Sequence, residues 1–371
     1  MRRRQFLQSA ALGSAAAGGI LSGCSPETSR APQAGGDHFE PVVWKMVTTW
    51  EKGFPGLGTG AEFLAQLINE MSGGRIRVRV YGANELVPPF EIFDAVSRGV
   101  AELGHGSAYY WKGKNSALQF FSTVPFGLTG MEMNAWLFHG GGMELWREAY
   151  APFGLIPMAA GNTGVQMGGW FNREINSLED LKGLKMRIPG MGGEVLKRAG
   201  GIPVNLPGGE LFTSLQTGAI DATEWVGPYN DLAYGLYKAA RYYYYPGWHE
   251  PGTTLECFVN AKAFEALPPD LRSIVTNAAR VANQDMLAEY TARNNDALDT
   301  LLDEHNVDMR RFPDDVIEQL RRLSREVVEE EARKSPQAGR IAESYLGFWK
   351  KVMRWHDISE RAYLNARAGG G

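Results

Sequence analysis

The sequence predicts an α/β fold in two lobes, and three observations carry that expectation. Strand-like and helix-like periodicities alternate twice along the chain, once within residues 41–110 and again within residues 155–225. The length of 371 residues is too great for one ordinary core and suits two units of roughly 150. Residues 270–305 contain neither glycine nor proline, so a helix longer than the usual globular helix is expected to run across both lobes.

The chain starts MRRRQFL, followed by a weakly apolar Ala/Gly stretch and LSGC. Arg3-Arg4 before Gln5-Phe6-Leu7 match the twin-arginine export pattern, and LSGC resembles a lipobox that would place a lipid on Cys24. Residues 1–23 therefore read as an export segment and 24–38 as a flexible tether. Removing the first segment takes away three arginines and moves the formal charge from −4 to −7. An acidic chain whose one basic cluster is in its first four residues excludes nucleic acid as a partner. With Cys24 lipidated, Cys257 stands alone and forms no internal disulfide. No later segment has the apolar length of a membrane helix, so attachment would rest on the anchor.

Residues 39–160 are expected to form mainly lobe I. PVVWKMVTTW is β-rich. AEFLAQLINEM places Phe63, Leu64, Leu67, Ile68 and Met71 at helical spacing. RIRVRVYG alternates strictly, with Ile76, Val78 and Val80 on one face and arginines on the other. Pro88-Pro89 opens a second helix, and AELGHGSAYY returns as a strand and loop, giving parallel neighbours. Aromatic helices fill 131–150. Residues 161–250 are expected to be mainly lobe II. LIPMAAG, VQMGGWFN, LKMRIPG, IPVNL and AIDATEW read as strands alternating with helices at 192–200 and 208–218, and RYYYYPGW as a further strand. Residues 251–371 supply a hinge strand at TTLECFVNAKAF, the long connecting helix, and helices at 314–334 and 339–368. The last carries Leu346, Trp349, Val352 and Met353 on one stripe, fit for its own domain or for a homodimer contact. Strand ends facing each other across two sheets leave a crevice, the usual ligand position in open α/β folds.

The chain lacks the zinc-protease helix, the nucleophile elbow, paired Cys-x-x-Cys and the phosphate loop. Gly56-Leu57-Gly58-Thr59-Gly60-Ala61 matches the dinucleotide fingerprint, but residues 51–55 separate it from the strand tip where that fingerprint belongs, so it reads as a helix entry. The six histidines show no metal-ligand spacing, and His105 and His249 each read as a hydrogen-bonded or surface residue.

Arg187 ends the LKMRIPG strand, where a guanidinium can hold a carboxylate by two parallel hydrogen bonds. Gln166, between Val165 and Met167, and Glu224, beside Trp225, offer buried oxygens suited to a hard cation. A plain Arg187–Glu224 ion pair accounts equally well for these residues. Glu250 is a candidate second acid, and Tyr109, Tyr110 and Trp50 are candidates from the opposite wall.

The motifs GNTGVQMGGWF, LKGLKMRIPG, NLPGGELFTSLQTGAIDATEWVGPYND and YYYYPGWHEPG resemble the periplasmic solute-binding subunits of TRAP (tripartite ATP-independent periplasmic) transporters, in the branch that binds 2-oxo acids such as pyruvate. The resemblance covers nearly all of the chain after the export segment. It implies a two-lobed α/β periplasmic binding protein fold, with hinge strands and a long lobe-connecting helix. It also implies a receptor and not an enzyme, handing a small 2-oxo or 2-hydroxy acid to TRAP membrane subunits. Carried over residue by residue, Arg187 pairs with the substrate carboxylate. Gln166, Glu224 and the backbone of Trp225 hold one metal ion, joined by Glu250. Beside these, Tyr109 from the opposite wall and the Trp225 ring are expected to line the pocket. Na⁺ is expected ahead of Ca²⁺, because Arg187 and a monovalent ion balance Glu224 and the substrate anion; Ca²⁺ leaves a positive charge for Glu250 to offset. The broader family usually has Asn where this chain has Trp225, and Cys24 is not general in it. The rival expectation is an exported oxidoreductase or lyase acting on the same acids.

Overall fold

The computed structural model describes residues 40–369. The export segment, the tether and Cys24 lie outside the described residues. Among the described residues eleven strands form two sheets. In chain order they are β1 Val42–Thr48, β2 Ile76–Tyr81, β3 Leu103–Gly106, β4 Leu155–Asn162, β5 Gly169–Phe171, β6 Lys185–Arg187, β7 Ile202–Val204, β8 Ala222–Thr223, β9 Tyr242–Tyr245, β10 Thr254–Asn260 and β11 Asp308–Arg311.

The first sheet has the order β2-β1-β3-β10-β4 and the second β11-β9-β5-β8-β6-β7. The predicted parallel neighbours occur where helices make the crossover, at β1–β2, β1–β3, β6–β7 and β6–β8. β10 differs. It returns from the second lobe and inserts antiparallel between β3 and β4. Three elements were not read from the sequence: helix Ala261–Glu265 takes the end of the expected strand TTLECFVNAKAF, and two others are new. β11 is a four-residue edge strand whose alternation is too short to register, and residues Pro228–Tyr234 form a helix. Gly227-Pro228 starts this helix with proline in its first turn, as proline's fixed φ allows. The single C-terminal helix expected over 339–368 is two, Pro336–Ile358 and Glu360–Arg367, parted at Ser359.

The long helix is Pro269–Asp299, ending in a π-turn at Thr300–Glu304. It packs on β4 and on helix Leu57–Met71 of the first lobe, and on helix Pro228–Tyr234 of the second. The Gly56–Ala61 motif is explained by that packing. A Cβ on Gly58 would sit 2.2 Å from the Glu51 carbonyl oxygen, and one on Gly60 would sit 2.3 Å from Met286 Cε of the long helix. The glycines permit close approach of helix, loop and helix.

The chain passes between sheets at 162–169, 245–254 and, through the long helix, 260–308. The first two passages run side by side, with Thr163 N donating to Thr253 O (3.0 Å) and Gln166 N to Glu250 O (3.1 Å). The lobes meet across the gap. Tyr234 donates to Glu51 (2.7 Å), Asn230 Nδ2 to the Pro55 carbonyl (2.8 Å), and Phe54 stacks on Tyr234 at 4.2 Å.

Candidate functional site

The parallel register pairs Arg187 at the end of β6 with Thr223 at the end of β8, so Glu224, the next residue, emerges beside Arg187. Glu224 N donates to the Arg187 carbonyl (3.2 Å), which fixes both strand ends. Arg187 ends its strand as expected; that strand is internal to the sheet, and the residue is wholly buried. Its guanidinium donates to Glu224 Oε1, to the Leu206 carbonyl (3.1 Å) and to Tyr110 Oη (3.2 Å), and it lies over the Trp225 indole at 5.0 Å. Burial alone would lower its pKa, but Glu224, then Tyr110 and Tyr109, raise it on balance, so the cation persists.

Gln166, His249 and Glu250 come from the two adjacent passages between sheets. A Cβ on Gly247 would sit 2.1 Å from the Gln166 carbonyl oxygen, so only glycine lets these passages touch. Gln166 lies before β5, not within a strand as expected. Its amide nitrogen donates to Glu250 Oε2 (2.9 Å) and Thr163 Oγ1 (3.1 Å). Thr253 Oγ1 also donates to Glu250 Oε2, at 2.5 Å. Burial, then the charge of Glu224, pushes the Glu250 carboxyl well above the usual range, while Thr253, Arg187 and Gln166 pull the other way.

Tyr109 and Tyr110 stand on a short helical turn, Ala108–Trp111, and not on the strand end. Burial and the nearby acids, Glu250 first, raise the Tyr109 pKa well above its ordinary value, keeping the phenol neutral. Trp50 meets Trp225 edge-on at 6.3 Å and donates to His105 Nδ1 at 2.8 Å, so His105 is the hydrogen-bonded histidine expected. A cavity of about 470 Å³ adjoins Tyr109 and Tyr110, but neither Arg187 nor Glu224 lines it. The polar cluster itself is sealed.

Within that cluster several buried atoms have no hydrogen-bond partner among the described residues: Gln166 Oε1, Glu224 Oε2, Trp225 Nε1 and both ring nitrogens of His249. Such atoms are costly unless a bound group completes them. Glu224, His249 and Glu250 each present a ligand atom within 4.8 Å of the others. Adding the Gln166 oxygen gives an oxygen-rich set that fits a hard cation. One Glu224 oxygen faces Arg187 and the other is unpartnered, so the ion pair does not use up the carboxylate and the geometry leaves room for both readings that the sequence offered. His249, Thr163 and Thr253 were missed. The sequence signal for His249 was its place beside Glu250 between two Pro-Gly turns.

A sealed polar cluster with a fixed cationic clasp, set between two α/β lobes, defines a solute-binding protein. The chain belongs to the bacterial extracellular solute-binding proteins of family 7, whose model matches residues 46–335. These are extracytoplasmic receptors of TRAP transporters and not enzymes. The chain is 43% identical over 367 residues, 98% of each sequence, to a monocarboxylate 2-oxoacid-binding periplasmic protein of Nostoc sp.. It is similar to a TRAP periplasmic solute-binding protein from Colwellia psychrerythraea with bound calcium and pyruvate (45% identity, TM-score 0.86, 88% of this chain and 100% of that one). A second such protein, from Pseudoalteromonas atlantica with bound sodium and pyruvate, matches at 44% identity and TM-score 0.86 over 88% of this chain and 99% of that one.

Proposed function

We propose that this protein captures a small 2-oxo or 2-hydroxy monocarboxylate outside the cytoplasm and presents it to TRAP membrane subunits. The observation that carries the reading is Arg187, a fully buried cation beside oxygen donors that lack partners. In this reading Arg187 turns its fork to the ligand carboxylate, with Leu206 O and Tyr110 Oη holding its plane. Tyr109 and the Trp225 ring close the apolar side, and their burial keeps water from the ion pair.

Gln166, Glu224, Glu250 and the backbone oxygen of Trp225 are the proposed holders of one cation. When bound, that cation supplies positive charge toward the 2-oxo oxygen. Charge balance sharpens the choice of ion. Two glutamates and the ligand anion face one arginine, so a divalent ion neutralises the cluster when Glu250 is ionised and a monovalent ion when Glu250 keeps its proton. Calcium in one relative and sodium in another agree with either balance.

We further assign export to the twin-arginine pattern, with Cys24 as a lipid anchor. Of the stripe expected for a homodimer, Leu346, Trp349 and Val352 pack on the chain's own core, so the proposed contact moves to Trp355, Ile358, Tyr363 and Leu364, which remain exposed. Calorimetry with pyruvate and lactate tests the ligand and the clasp together. Arg187→Ala should weaken binding by at least about 30-fold, the loss expected for a buried charge-assisted contact of ~2 kcal/mol or more. An affinity unchanged by that substitution would overturn the assignment.

A further inference from the structure

The cation reading leaves one buried side chain without a role. His249 is 1% exposed, and neither ring nitrogen has a hydrogen-bond partner among the described residues. A buried neutral imidazole ordinarily donates from one nitrogen and accepts at the other. His105 comes close to that pattern: its Nδ1 accepts from Trp50 and its Nε2 lies 3.4 Å from the Ala160 carbonyl. Leaving His249 unpartnered on both sides costs free energy that something must offset.

His249 Nε2 lies 3.4 Å from Glu224 Oε2, itself unpartnered, without the alignment of a hydrogen bond. Two donors bound to one ion at roughly 2.0–2.4 Å, at tetrahedral or octahedral angles, stand about 3–3.5 Å apart. The observed separation is that of one edge of a coordination polyhedron. The ring is held in place. Trp248 meets it edge-on at 5.4 Å, and a Cβ on Gly192 would sit 3.1 Å from His249 Cβ, so the opposing helix packs directly on it. Glu250, the next residue, offers the third atom of the group.

We propose that His249 donates a ring nitrogen to the cation of this cluster, which extends the site from hard ions to a borderline divalent ion such as Zn²⁺. The inference rests on the reading of Gln166, Glu224 and Glu250 as cation ligands. Oxygen-only sets favour Ca²⁺, Na⁺ and Mn²⁺, whereas an imidazole beside two carboxylates suits zinc.

The test uses tag-free full-length protein freed of metal by chelation and loaded with Mn²⁺ alone. Pulsed electron paramagnetic resonance should show nitrogen coupling on the bound manganese, and growth with nitrogen-15-labelled histidine should change its frequencies. In parallel, His249→Gln should lower the ratio of Zn²⁺ to Ca²⁺ affinity at least about 10-fold. Bound Mn²⁺ without histidine coupling overturns the inference and leaves the cation site standing. Protein that binds none of Mn²⁺, Zn²⁺, Ca²⁺ or Na⁺ overturns the cation reading and the inference with it. If the variant does not fold, the labelled parent decides alone.

Discussion

Glu224→Gln removes one negative charge and almost no volume from the site. Its amide oxygen can still accept from Arg187, so packing and contact survive while the counter-charge is lost. Arg187 is fully buried and Glu224 is its ion-pair partner, so the substitution leaves a guanidinium unbalanced in a low-dielectric interior. Removing one member of such a pair costs ~3–5 kcal/mol, which for a protein of this size lowers the unfolding midpoint by about 4–7 °C. The second consequence concerns the ion. In the parent, Ca²⁺ at ~100 times its dissociation constant should stabilise the fold by ~2.7 kcal/mol through mass action. The variant, missing the unpartnered Oε2 carboxylate oxygen, should lose that shift. Pyruvate affinity, measured by calorimetry with and without chelator, should depend on the ion in the parent and become indifferent to it in the variant. A variant with the parent's midpoint and calcium-induced shift would refute both the electrostatic argument and the place of Glu224 in the site.

Glu256 lies inside the first lobe, accepting from Trp111 Nε1 and Tyr150 Oη at 2.6 Å each, and burial pushes its carboxyl up to about 7. A carboxyl with a raised folded pKa holds more protons in the folded than in the unfolded state between pH 4.5 and 7. Its contribution therefore falls across that window and levels off above it, by ~3 kcal/mol in order of magnitude. Glu256→Gln should flatten this part of the stability profile in urea melts from pH 5 to 8; an identical slope in the variant would count against it. For the C-terminal contact, sedimentation of the full chain should give a dimer, and Trp355→Glu with Ile358→Glu should give a monomer. A parent that sediments as a monomer removes the proposal.

The architecture was legible where periodicity was long. The alternation in RIRVRVYG and the uninterrupted 270–305 segment appear as β2 and the long helix, within a few residues. It was illegible where pairing is decided by distant chain. β11 has four residues and exists because Tyr242–Tyr245 offers it a partner, and Ser359 breaks a helix whose composition gives no warning. The site divides in the same way. Arg187, Gln166, Glu224 and Glu250 announced themselves as polar groups in apolar or turn-bounded surroundings, and the structure brings them together. His249 did not, because its significance lies in lacking hydrogen-bond partners, which only coordinates reveal.

The place of β10 has a consequence for how the protein comes to exist. Thr254–Asn260 fills the gap between β3 and β4, so the first sheet stays divided until β5 to β9 of the second lobe have been synthesised and the chain has returned. An emerging chain that ends before residue 254 carries two unpaired strand margins, the kind of surface that recruits other chains. Neither lobe is thus an autonomous folding unit: the second takes β11 from beyond β10, and the first waits for β10. Ribosome-bound intermediates should be the aggregation-prone species, and dissecting the receptor into separately expressed lobes should yield fragments that recover structure only when mixed.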